Sequence, residues 1–131
     1  MSKSKFIRAA CLAAVITAFA SLPSRAETPT DTITVVTILD VVSDYAMPQN
    51  VERSSALLST LSKDTQHAPG LVSFKVLRDR SRVNHFIIIS VWKDKEAFEA
   101  YSAAETTRRF RQEFQAGMGG PFDERVYADL N

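Results

Sequence analysis

Cysteine is almost absent from this chain. Cys11 is the only one, so no disulfide can form within a single copy and no cluster of thiolates can hold a metal. Histidine is scarce too: His67 and His85 are the only two, and neither has acidic neighbours at metal-ligand spacing. The glycines are few and form no phosphate-cradling loop, and no internal repeat is visible. No basic stretch is long enough to suggest nucleic acid. Arg78, Arg80 and Arg82 are interrupted by Asp79, while Arg108, Arg109 and Arg111 fall on a predicted helix, where such charges form a solvated face. No apolar run reaches the roughly 20 residues that a membrane span requires.

A shorter apolar run stands near the beginning. Lys3, Lys5 and Arg8 precede an uncharged, mostly apolar stretch from Ala9 to Ala20; Pro23 follows, and Ser24-Arg25-Ala26 puts small residues at the two positions a signal peptidase reads. This three-part layout predicts a cleaved export signal over residues 1–26, and hence a periplasmic or secreted protein with no stable membrane anchor. Cys11 lies at the start of the run, the wrong place for a lipoprotein signal. Removing residues 1–26 takes Cys11 and four of the 16 Lys+Arg residues but none of the 15 Asp+Glu, so the precursor's charge of +1 becomes about −3. Residues 27–31 are polar, contain Pro29 and read as a flexible leader. Residues 32–131 are long enough for one core and too short for two.

Within that domain, Ile33 to Val42 has the Val, Ile and Thr content of a strand. Asn50 is a candidate helix cap with Glu52 in the first turn, and Val51, Leu58 and Leu61 share one helical face. The helix should stop before Ala68-Pro69-Gly70, because Pro69 disfavours α geometry at Ala68. Leu71 to Arg78 and His85 to Trp92 form a predicted hairpin. Asp94 should cap a helix over Lys95 to Ser102, a second should cover Thr106 to Gln115, and Phe122 to Leu130 alternates as a last strand. The order β-α-β-β-α-β is that of an α+β, ferredoxin-like fold with helices on one face of an antiparallel sheet.

The third strand has a peculiarity that bears on assembly. Phe86, Ile88 and Trp92 take one parity, and Ile87, Ile89 and Val91 take the other, so both faces are apolar. Val36, Ile38 and Val42 repeat the pattern in the first strand. Helices cover one face only, and three exposed aliphatics would leave a patch in water. A homodimer packed through the open sheet face is the expected solution; a covering by the chain's own tail is the alternative.

Ala68-Pro69-Gly70 leading into Leu71-Val72-Ser73-Phe74-Lys75-Val76-Leu77-Arg78-Asp79, together with Ser90-Val91-Trp92-Lys93-Asp94-Lys95-Glu96-Ala97-Phe98, resembles the antibiotic biosynthesis monooxygenase family. The shared features are a Pro-Gly turn, a strand ending in Arg-Asp, and a strand ending in Trp before an acidic helix cap, over about Ile33 to Leu130. The resemblance implies a dimeric α+β barrel and an oxygenase acting on phenolic or quinol-type compounds without metal or flavin. It also implies a pocket between sheet and helices, lined by Trp92. Three positions depart from the family: Ser90 stands where a Glu is frequent, Ala104 to Arg108 lacks a His, and the first strand lacks the Asn of haem-degrading relatives.

Cofactor-free oxygenation needs a proton acceptor, an apolar aromatic pocket and donors for a developing oxyanion. The candidates are His85 as acceptor, since imidazole titrates near neutrality, with Trp92 and Ser90 beside the reacting ring. Phe74, Asn84, Phe98, Tyr101, Phe110 and Phe114 are candidate substrate-binding residues, with His67 and Tyr45 behind them. Each aromatic also has an ordinary core role. Two other readings stay open: a non-catalytic dimer binding a small apolar or haem-like ligand, and a purely structural dimer. The cavity beside Trp92, open or filled, distinguishes them.

Overall fold

The computed structural model describes residues 31–130. The expected export signal and all but the end of the leader lie outside the described residues. Four strands, β1 (Ile33–Asp40), β2 (Leu71–Arg78), β3 (His85–Trp92) and β4 (Asp123–Ala128), form one antiparallel sheet in the order β2-β3-β1-β4. Helix α1 (Asn50–Thr65) links β1 to β2, and helices α2 (Lys95–Ala103) and α3 (Glu105–Gln115) link β3 to β4. This is the ferredoxin-like α+β arrangement.

Register decides which side chains share a face. Val35, Thr37 and Leu39 of β1 stand opposite Ser90, Ile88 and Phe86 of β3, while Phe74 and Val76 of β2 flank Ser90 and Ile88 from the other side. These point towards the helices and join Val51, Leu58 and Leu61 of α1 and Phe114 of α3 in the core. Fully burying each large aliphatic or aromatic side chain contributes about 1.5–3 kcal/mol.

The opposite parity makes the open face. Val36 pairs with Ile89 and Ile38 with Ile87, with Thr34 opposite Val91 at the end of the row. Among the described residues no helix lies over this row; Leu77 of β2 beside it is about half exposed. β4 hydrogen-bonds to β1 inside the sheet, so it is not a lid on that face.

Several boundaries differ from the sequence expectation; α2 runs one residue further, to Ala103, and β4 is shorter at both ends. β1 ends at Asp40, two residues early, because the Val41 amide turns to the Asn84 carbonyl and Val41 bridges to Met118. Asn50 does not cap α1. Gln49 occupies that position with φ 64°, and the amide of Val51 is accepted by Asp44 Oδ1 at 2.8 Å. The Asn50 amide instead donates to the carbonyls of Val42 (2.7 Å) and Gly117 (2.9 Å), clamping two loops together. α3 starts at Glu105, one residue earlier than expected. Asp94 does cap α2, accepting from the Ala97 amide at 2.8 Å. Gly70 has φ 78°, and a side chain there would collide with Ala97, so the Pro-Gly turn requires its glycine.

Candidate functional site

Where α1 runs beside α2 and α3 the helix layer is not closed. A cleft of about 580 Å³ lies between them, within the ordinary range for small-molecule sites. Leu57 and Leu61 of α1, Ala97 and Ala100 of α2, Ala104 and Phe110 give it apolar walls. Small side chains keep it open: Ala97 and Ala100 of α2, and Ala104 just after it, line the cleft. Asp64, His67, Arg109 and Glu113 also line it, with Arg109 tied to Glu105 at 2.9 Å.

Beneath the cleft, against the sheet, is a second space of only about 20 Å³. Thr37, Phe74, Ile88 and Ser90 line it from the sheet, and Phe98, Arg111 and Phe122 from the other side. That volume is room for about one water molecule. Arg111 Nη2 meets Glu124 Oε2 at 2.7 Å beside it, and the Thr37 hydroxyl donates to the same oxygen at 3.3 Å. Leu61, Tyr101, Thr107 and Phe110 line both spaces and form the partition between them.

Tyr101 is the best-defined polar member of that partition. Its ring lies 4.8 Å from the Trp92 ring, centroid to centroid. Its hydroxyl is 3.4 Å from Thr65 Oγ1. Burial pushes the phenol above its ordinary pKa of 10.0, against the opposing pull of hydrogen bonds with Thr65 and Thr107. It therefore stays a neutral phenol throughout the physiological range.

The sequence candidates divide into three groups. Ser90, Phe74, Phe98, Tyr101 and Phe110 come together around the partition and the small inner space. Trp92 sits behind them, fully buried: its Nε1 donates to Ser90 Oγ at 2.9 Å, and Phe98 packs on it at 5.9 Å. The space beside Trp92 is thus filled by Tyr101 and Phe98, and the indole lines neither cavity. Phe114 is likewise core, packed against Phe110 and Phe122.

His85 and Asn84 are elsewhere. His85 has the parity opposite to Ser90 and Trp92, so its ring lies on the open face, with Nδ1 2.7 Å from Asp40 Oδ1. The structure does not bring it together with Trp92. Asn84 donates to the Val41 carbonyl at 2.9 Å and fastens the hairpin to β1. Tyr45 is fully exposed in the loop before α1, whereas His67 lines the cleft.

Thr65 and Thr107 were not singled out from the sequence. A signal existed: Leu58, Leu61 and Thr65 fall at i, i+3 and i+7, as do Thr107, Phe110 and Phe114. A Thr on an apolar stripe places a hydroxyl where the core expects carbon.

The profile of the antibiotic biosynthesis monooxygenase family matches residues 45–113, a little over half of the chain. The chain belongs to this family. The match spans α1 to most of α3, the elements that build the cleft. No curated protein matches at a significant level. Solved structures of the same fold include an alanine variant of SnoaB, a cofactor-independent oxygenase from Streptomyces nogalater, at 19% identity and TM-score 0.65, covering 77% of this chain and 95% of that one. A Nitrosomonas europaea protein assigned to the antibiotic biosynthesis monooxygenases superposes with TM-score 0.69 at 15% identity, covering 77% and 92%. A Pseudomonas aeruginosa protein, PA3566, gives 0.68 at 18%, covering 79% and 99%. Among the described residues no three His, Cys, Asp or Glu side chains are placed to hold a metal ion.

Proposed function

We propose that this protein is an exported, homodimeric monooxygenase that oxidises a small hydroxylated aromatic or quinol compound without a bound cofactor. The observation that carries the reading is the helix cleft: about 580 Å³, apolar-walled, with the Tyr101 phenol at its base, in a chain of this family. In such a reaction the substrate supplies the electrons. Loss of its phenolic proton makes the ring electron-rich and dioxygen accepts the electrons; one oxygen atom takes the place of a ring C–H hydrogen and becomes a carbonyl, and the other leaves as water with the C–H and O–H hydrogens the substrate gives up. His67, Asp64 and Glu113, which line the cleft, are the proton acceptors the reading assigns in place of His85. The apolar walls keep water away from the anion.

A second reading, a non-catalytic dimer that binds a small apolar ligand, is favoured by two observations: the expected histidine lies on the opposite face of the sheet, and the space beside Trp92 is filled by Tyr101 and Phe98. Oxygen uptake by the purified, metal-stripped and flavin-free protein with hydroxynaphthalenes and quinols separates the two. Uptake above autoxidation that is lost in Ala100→Trp, which fills the cleft, and kept in His85→Ala supports the oxygenase. Binding of the same compounds without uptake selects the second reading.

A further inference from the structure

Among the hydroxyl groups lining the cleft, that of Thr65 has its proton committed. Thr65 Oγ1 donates to the Leu61 carbonyl one helical turn back, at 2.7 Å. A threonine hydroxyl has a single proton. The 3.4 Å contact between Thr65 and Tyr101 must then run the other way, with the phenol donating and Thr65 accepting. Thr107 engages the same phenol oxygen. An oxygen that has given its proton away retains lone pairs. Asp64 and Glu113 add two carboxylates to the lining, and one Arg109 nitrogen is engaged by Glu105; Thr60, Thr106 and His67 complete the polar lining.

We infer that Tyr101 is a specificity-determining residue whose oxygen, oriented by Thr65, accepts a hydrogen bond from the ligand, so that the cleft selects phenols and hydroquinones over their ethers and quinones. This rests on the cleft being the ligand site. A phenolic O–H can donate to the Tyr101 oxygen, whereas an ether or a quinone carbonyl brings only another acceptor to it, and buried acceptor facing acceptor is left unsatisfied. Burial supports the arrangement by keeping the phenol neutral, so that it retains the proton it directs at Thr65. For a quinol-oxidising protein the consequence is that the reduced compound is held and the oxidised product is released.

The test uses a matched pair of probes, 2-naphthol and 2-methoxynaphthalene, titrated calorimetrically into wild type, Tyr101→Phe, Thr65→Val and Ala100→Trp. The wild type should bind the naphthol roughly three- to tenfold more tightly, the worth of one neutral hydrogen bond. Tyr101→Phe should bring the two probes to near parity. Thr65→Val, which frees the phenol proton to turn into the cleft, should raise the affinity of the ether and narrow the gap while keeping the ring in place. Equal binding of both probes to the wild type, abolished in Ala100→Trp, leaves the cleft as the ligand site and overturns the role of Tyr101. A preference that survives unchanged in Tyr101→Phe and Thr65→Val also overturns it. If neither probe binds, or if Ala100→Trp changes nothing, the cleft reading falls and this inference falls with it.

Discussion

At the scale of single residues, Tyr101 ties stability to the chemistry of the site. Its folded-state pKa is raised by burial above 10.0. A group raised on folding contributes fully below its unfolded pKa and loses that contribution as pH climbs towards the folded value. The melting temperature should therefore hold level up to about pH 9 and fall above about pH 10, and Tyr101→Phe should blunt the fall. Thermal denaturation across that range checks it; identical curves for the two proteins would refute the assignment. The sequence could name Tyr101 as an aromatic on a helix face. It could not show that its proton points at Thr65, since that depends on two helices meeting. The misplacement of His85 was avoidable. Residues 85 and 92 differ by an odd number on one strand, which puts them on opposite faces whatever the rest of the fold does.

At the scale of elements, the strands and helices were legible because their signals are local. The apolar run of β3, the Asp94 cap and the Pro-Gly turn each fix a boundary from a few neighbouring residues. Asn50 failed for the converse reason: its partners, the carbonyls of Val42 and Gly117, belong to loops that only the fold brings together. Asn50→Ala would leave both without that donor and should cost about 2–3 kcal/mol, seen as a lower denaturant midpoint. Asp94→Ala removes one accepted amide bond at the start of α2 and should cost about 1 kcal/mol. A larger effect for Asp94 than for Asn50 would mean that the loop clamp is of little energetic value. The cleft itself was not legible. It arises from alanines at 97, 100 and 104, and small residues carry no sequence signal for an opening until the opposing helix is placed.

At the scale of the whole molecule, the two-parity apolar pattern of β1 and β3 was readable from sequence, and the register places Val36, Ile38, Ile87 and Ile89 side by side on the uncovered face. A homodimer through this face should have twice the mass of the chain by sedimentation. Ile89→Lys, which puts a charge in the middle of the row, should convert it to monomer with the helix cleft intact. A monomeric wild type at micromolar concentration would sink the dimer proposal.

The sheet thus has two sides that answer to different demands. One carries the helices and, above them, the cleft; the other carries the row of aliphatics and the His85–Asp40 pair. Substitutions in α1, α2 and α3 can reshape the cleft without touching the face proposed for the dimer, and changes on the aliphatic row leave the cleft alone. On such a sheet the proposed ligand and the proposed assembly can be changed independently of one another.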